Sequence, residues 1–126
     1  MNVLTVVENE TRLLRWKSMT LDLDRRTAQC GGVPIAVSPA EFNLLRLLIG
    51  RRNIPLAKDF IMSSLFGPDH GRDLRQADFF VARLRRLLAP FGLGDAISTI
   101  AGRGYTMVDD QRSAGPVSGS LALSAA

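Results

Sequence analysis

Four arginines and a phenylalanine between positions 75 and 86 carry most of the chemistry open to this chain. In the stretch LRQADFFVARLRRLL (74–88), Arg75, Phe79, Ala82, Arg83 and Arg86 share one side of a helical wheel, with Gln76 on its flank. Guanidinium forks suit phosphates and guanine edges, and an aromatic ring among them can meet a thymine methyl. The opposite side carries Ala77, Val81, Leu84 and Leu88 at spacings of four, three and four, the core-facing pattern of an amphipathic helix. The plainer alternative is a solvated basic face with Phe79 tucked against a loop. The spacing favours a helix that enters the DNA major groove.

Catalysis finds little support. No carboxylate pair, Ser–His–Asp set or metal-ligand cluster is visible, so no catalytic residue, metal site or cofactor is expected. The single histidine, His70, lies in a polar loop with no acid, nucleophile or metal partner grouped around it, and it reads as solvent-exposed. A lone cysteine, Cys30, excludes an internal disulfide and a multi-cysteine zinc site. The formal charge is +4, and 14 of the 16 basic residues are arginine, a balance that suits a polyanionic partner. With no apolar run of membrane-spanning length and no signal-peptide pattern, the expected location is the cytosol, without membrane contact.

The elements that must position the basic helix can be taken in order. At 126 residues the chain is sized for one domain, expected over residues 1–110. Residues 3–37 read as short strands at Val3–Val7, Arg12–Trp16, Met19–Asp24, Ala28–Cys30 and Val33–Val37. Gly31-Gly32 supplies a tight hairpin turn. An antiparallel sheet of three or four strands follows, with one face for helices. Ser38-Pro39-Ala40-Glu41 starts a helix with a capping box, and the apolar residues from Phe42 to Ile49 cover most of its circumference, so it should be buried on several sides. A second helix is expected from about Ala57 to Phe66, closed by Gly67, and a polar loop then leads to the basic helix. Pro90-Phe91-Gly92 stops helicity, and Ala96–Ile100 and Tyr105–Val108 form strands around Ala101-Gly102-Arg103-Gly104, whose glycines push Arg103 outward. That turn is too short for a phosphate-binding loop of a nucleotide site. Residues 111–126 read as a disordered tail. Sheet, helix, helix, basic helix and hairpin make an α+β winged helix-turn-helix, whose last helix reads DNA while its wing touches the adjacent backbone or minor groove.

Over roughly Leu21 to Val108 the sequence resembles the C-terminal DNA-binding domain of the OmpR/PhoB family of bacterial response regulators, closest in pattern to the CtrA-like group. The resemblance rests on Leu21-Asp22-Leu23, on Ser38-Pro39-Ala40-Glu41-Phe42-Asn43-Leu44-Leu45 and on Leu65-Phe66-Gly67. It rests also on Asp78 through Arg86 followed by Thr99-Ile100-Ala101-Gly102-Arg103-Gly104-Tyr105. It implies a transcription factor with a four-stranded N-terminal sheet, three helices and a C-terminal wing, binding direct-repeat half-sites of double-stranded DNA as a weak head-to-tail homodimer. It also implies that Arg75, Gln76, Phe79, Arg83 and Arg85 or Arg86 lie on or beside the reading helix, Arg103 at the wing tip, and Thr99 and Tyr105 near backbone contacts. Gly67, Pro68, Asp69, His70, Gly71, Arg72 and Asp73 match the loop with which family members meet RNA polymerase.

The sequence departs from the family at three places. Ala82 and Ala101 stand where many relatives are basic, and Ala57 where relatives carry a capping Ser or Thr. The family's phosphoacceptor receiver domain has no counterpart in these residues, so the expectation is either a stand-alone regulator or an excised effector domain. The competing reading is a winged helix that binds protein, with Phe79 and Phe80 as a docking patch rimmed by arginines.

Overall fold

The computed structural model describes residues 12–109. The expected strand at Val3–Val7 and the tail at 111–126 lie outside them. Four short strands, β1 (Leu13–Trp16), β2 (Met19–Asp22), β3 (Thr27–Cys30) and β4 (Val33–Ile35), form an antiparallel sheet in sequence order. Local chemistry sets two of the three reversals. Asp22 Oδ1 accepts the backbone N–H groups of Asp24 and Arg25, both at 3.0 Å, and this closes the β2–β3 turn. Gly31 and Gly32 take φ of 57° and 84°, the left-handed pair a two-residue hairpin between Cys30 and Val33 demands. Alternation then buries Met19, Leu21, Ala28 and Cys30 on one face and leaves Thr20, Asp22 and Gln29 on the other.

Helix α1 (Pro39–Gly50) starts as its sequence predicts. Glu41 N–H donates to Ser38 Oγ at 3.2 Å, Ser38 N–H donates to Glu41 Oε1 at 2.9 Å, and Pro39 occupies the first turn. Phe42, Leu44, Leu45, Leu48 and Ile49 are all buried, so α1 is the central rod between the sheet and the other helices. At its far end Arg52 donates from Nη1 to the Ile49 carbonyl at 2.9 Å, satisfying one of the orphan acceptors of the last turn. Helix α2 (Lys58–Phe66) starts at Ala57 without a side-chain cap and buries Ile61 and Met62. Helix α3 (Arg75–Leu88) buries Ala77, Val81, Leu84 and Leu88 with no exposed surface on any of them, as its spacing requires.

Two 3-10 turns, Ala89–Phe91 and Gly94–Ala96, lead into β5 (Ile97–Ile100) and β6 (Gly104–Met107), an antiparallel hairpin with Thr99 opposite Tyr105. The hairpin is anchored to the approach to α2. Leu56 N–H donates to the Tyr105 carbonyl at 2.7 Å, and Tyr105 N–H donates to the Leu56 carbonyl at 3.0 Å. Four-stranded sheet, three helices and hairpin constitute the expected winged helix.

Gly104 shows how tightly the wing is seated. Its φ is +110°, and a Cβ there would lie 1.9 Å from the Leu56 carbonyl oxygen, a collision with backbone that no rotamer relieves. Gly104→Ala should therefore cost at least about 2 kcal/mol in urea unfolding. Gly102, at φ +74° with nothing near its missing Cβ, should lose only about 1 kcal/mol as alanine. Equal losses at the two positions would show that close approach to Leu56 is not what Gly104 provides.

Candidate nucleic-acid interface

Helix α3 and the wing meet through side chains that leave α3 at the border of its buried stripe. Arg85 turns its guanidinium onto β5: Nε and Nη2 donate to the Ile97 carbonyl at 3.1 and 2.8 Å, and Nη2 also reaches Thr99 Oγ1 at 2.9 Å. Asp78, the one acidic residue of α3, accepts the Tyr105 hydroxyl from β6 and lies 3.1 Å from Lys58 Nζ at the start of α2. A single carboxylate thus ties α3, α2 and the wing together. Arg83 reaches the other way, donating from Nε to Oε2 of the buried Glu41 on α1.

These contacts move the titrations of the groups involved. The Tyr105 hydroxyl and the Lys58 ammonium hold the Asp78 carboxyl below the usual carboxylate range, against the opposing effect of partial burial. Burial, reinforced by the bond to Asp78, pushes the Tyr105 phenol up to about 12. For Glu41, burial pulls upward, yet the Ser38 N–H and the Arg83 guanidinium outweigh it and keep the carboxyl low.

The outer face is what remains. Phe79 is 59% exposed in the middle of α3. Arg75 and Arg86 are exposed beside it; Arg75 pairs with Asp73 at 2.7 Å, and its guanidinium and N–H lower the Asp73 carboxyl to about 2. Ala82 and Gln76 are half-buried, Gln76 accepting from Arg72 Nη1 at 3.3 Å. Arg103 and Thr99 are exposed on the wing. Ala57, Lys58, Thr99, Arg103 and Tyr105 line an open groove of about 400 Å³ between the start of α2 and the wing.

Two sequence expectations need amendment. Tyr105 is buried, 6% exposed, with its hydroxyl given to Asp78, so its ring braces the wing from inside. His70 is not a solvent-exposed loop residue. Its side chain is 8% exposed, Nδ1 accepts the Arg72 N–H at 2.8 Å, and Nε2 lies 3.5 Å from Asp59 Oδ1. The loop folds back over α2 and shelters the ring, while Arg72 stacks 3.8 Å above the Phe66 ring. Asp78 is a site residue that sequence reasoning misses. A lone acid in a strongly basic helix is the available signal.

Residues 32–107 match the family model described as "Transcriptional regulatory protein, C terminal", the OmpR/PhoB-type DNA-binding domain. The chain belongs to this family. Relatives of this OmpR/PhoB-type domain include the two-component response regulator PhoP of Pseudomonas aeruginosa, 32% identical over 72% of this chain and 40% of that protein. The cell cycle transcriptional regulator CtrA of Caulobacter vibrioides is 29% identical over 77% of this chain and 42% of that protein. The chain therefore spans less than half the length of these curated relatives. Among solved structures, the Klebsiella pneumoniae RstA DNA-binding domain in complex with RstA box superposes with a TM-score of 0.67 at 28% identity, covering 79% of this chain and 99% of that one. The family is one of transcription-regulator domains, not enzymes. No helix among the described residues is long and apolar enough to cross a membrane.

The chain's single tyrosine makes the α3–wing contact directly measurable. Ultraviolet titration should place Tyr105 ionisation near 12, returning toward the ordinary value near 10 in Asp78→Ala. Because the folded phenol titrates higher than the unfolded one, its contribution is complete below about 10 and disappears as pH rises toward 12. Asp78 has the opposite sign: its contribution is complete above the ordinary carboxylate range and is lost as pH falls through its lowered value. An unshifted Tyr105 titration in Asp78→Ala would remove Asp78 as the wing's anchor.

Proposed function

We propose that this domain is a sequence-specific double-stranded DNA-binding transcriptional regulator, with α3 in the major groove and the wing on the neighbouring backbone or minor groove. The observation that carries the reading is the division of α3: its apolar stripe is fully buried, while Phe79, Arg75 and Arg86 face outward, with Arg103 exposed on the adjoining wing. A large exposed ring among guanidinium groups suits thymine methyls flanked by phosphates and guanine edges. In this reading Arg75, Gln76, Phe79, Ala82, Arg83 and Arg86 form the surface against DNA, and Thr99 and Arg103 approach the backbone. Arg85 and Tyr105 act from behind by fixing the wing. The loop from Gly67 to Asp73 is the surface proposed to meet RNA polymerase.

Different arginines should fail in different ways. Arg83→Ala should lose about 1–3 kcal/mol on the preferred site through a bidentate guanine contact, with a smaller loss on random DNA. Arg103→Ala should weaken binding on all sequences and reduce the salt slope by roughly one unit. An unchanged slope would place Arg103 off the DNA. If Phe79 instead docks a protein, binding to that partner would show little salt dependence, whereas DNA binding falls steeply with salt.

One helix and one wing cover too few base pairs to single out a promoter, so two copies on direct repeats about one helical turn apart are proposed, associating weakly in solution and pairing on DNA. Gel shifts on two-half-site probes should show a second binding event that weakens when five base pairs are inserted between the half-sites. A second event indifferent to the insertion would mean that the copies are uncoupled.

A further inference from the structure

Glu41 is 3% exposed at the third residue of α1, where every other buried side chain is apolar. The capping box accepts glutamine as well as glutamate at that position, so capping alone does not require the carboxylate. A carboxylate taken out of water needs a partner of opposite sign, and here that partner stands 42 residues further along on α3. Glu41 divides its two oxygens: Oε1 takes the Ser38 N–H at 2.9 Å, and Oε2 takes Nε of Arg83.

This division decides what Arg83 can still do. With Nε engaged, the edge of the guanidinium left for a second partner is the one shared by its two Nη groups. No other acceptor among the described residues holds them, and the side chain remains 44% exposed. Two parallel N–H groups on one edge match the O6 and N7 acceptors of guanine. A free arginine must give up rotamer entropy to take one pose, whereas a side chain already held by a buried carboxylate has lost much of that freedom on folding.

We propose that Glu41 is a positioning residue for base recognition: it holds Arg83 by Nε so that the paired Nη groups face a guanine edge. The proposal rests on the reading of α3 as the DNA-reading helix. It assigns a role in specificity to a buried residue that touches no DNA itself, and couples the N-cap of α1 to a base preference.

The test compares wild type, Glu41→Gln, Arg83→Ala and the double variant by selection from random duplex DNA, with the salt dependence of random-DNA binding measured alongside. In Glu41→Gln the new side chain keeps an oxygen for the Ser38 N–H but turns an amide NH₂, which cannot accept, toward Arg83. Arg83→Ala should erase a guanine preference of roughly tenfold or more at one position. Glu41→Gln should lose most of the preference at that same position while leaving the salt slope on random DNA unchanged. The double variant should be no less selective there than Arg83→Ala alone, because the two residues act through one contact.

If Glu41→Gln keeps the wild-type preference that Arg83→Ala erases, Arg83 reads DNA unaided and this proposal alone is overturned. If Arg83→Ala weakens all sequences equally, Arg83 is a phosphate anchor, and the underlying reading of that residue goes with it. Should Glu41→Gln lack a cooperative melting transition, Glu41→Asp retains the charge on a shorter arm. It should reduce the preference at that one position, and an unaltered profile would overturn the proposal.

Discussion

Helix α3 must be dry on one side and open on the other, and a single rotation about its axis satisfies both. Ala77, Val81, Leu84 and Leu88, with no exposed surface, fix that rotation. Burying a valine or leucine side chain is worth roughly 1.5–3 kcal/mol, so turning the helix by one residue would exchange several such contributions for the burial of an arginine. Once the rotation is set, the rest of the surface is determined. Phe79 and Arg86 project outward, Asp78 and Arg85 reach the wing along one border, and Arg83 reaches α1.

Arginine serves two purposes in this domain. Some guanidinium groups hold the frame: Arg85 binds the Ile97 carbonyl and Thr99, Arg52 pairs with Asp109 at 2.6 Å, and Arg26 donates to Asn43 at 2.6 Å. Others remain on the surface, among them Arg86 and Arg103. The planar fork suits both tasks, because it can satisfy a carbonyl and a hydroxyl at once or grip an anion from outside. Net charge alone therefore says little about which arginines meet a ligand. Tertiary partners decide that.

Much of the fold is legible in the sequence because its signals are local. The Ser38–Glu41 box, Gly31-Gly32, the closing Gly67 and the four-three-four spacing of α3 each act within a few residues, and each appears in the structure close to its expected place. The contacts that organise the proposed interface span long distances in the chain. Glu41 and Arg83 are 42 residues apart and Asp78 and Tyr105 are 27 apart, and no periodicity reports such pairings. A helical wheel places Arg83 near the middle of the outer face and cannot show that a buried acid draws its side chain back toward α1. His70 misleads for the same reason: its shelter comes from α2 through Asp59 and from the return of its own loop.

The Trp16 indole N–H donates to Asp109 at 3.1 Å across 93 positions of the chain, while Asn53 Nδ2 reaches the other oxygen of Asp109 at 3.0 Å. The end of β1 and the residue that follows the wing are thereby clasped together. In engineering terms the described domain is a loop fastened at Trp16 and Asp109. A linker that joins the segments flanking this fastening, with a new opening at an exposed turn such as Gly31-Gly32, gives a circular permutant in which α3 and the wing keep their neighbours while the chain is entered at a different point.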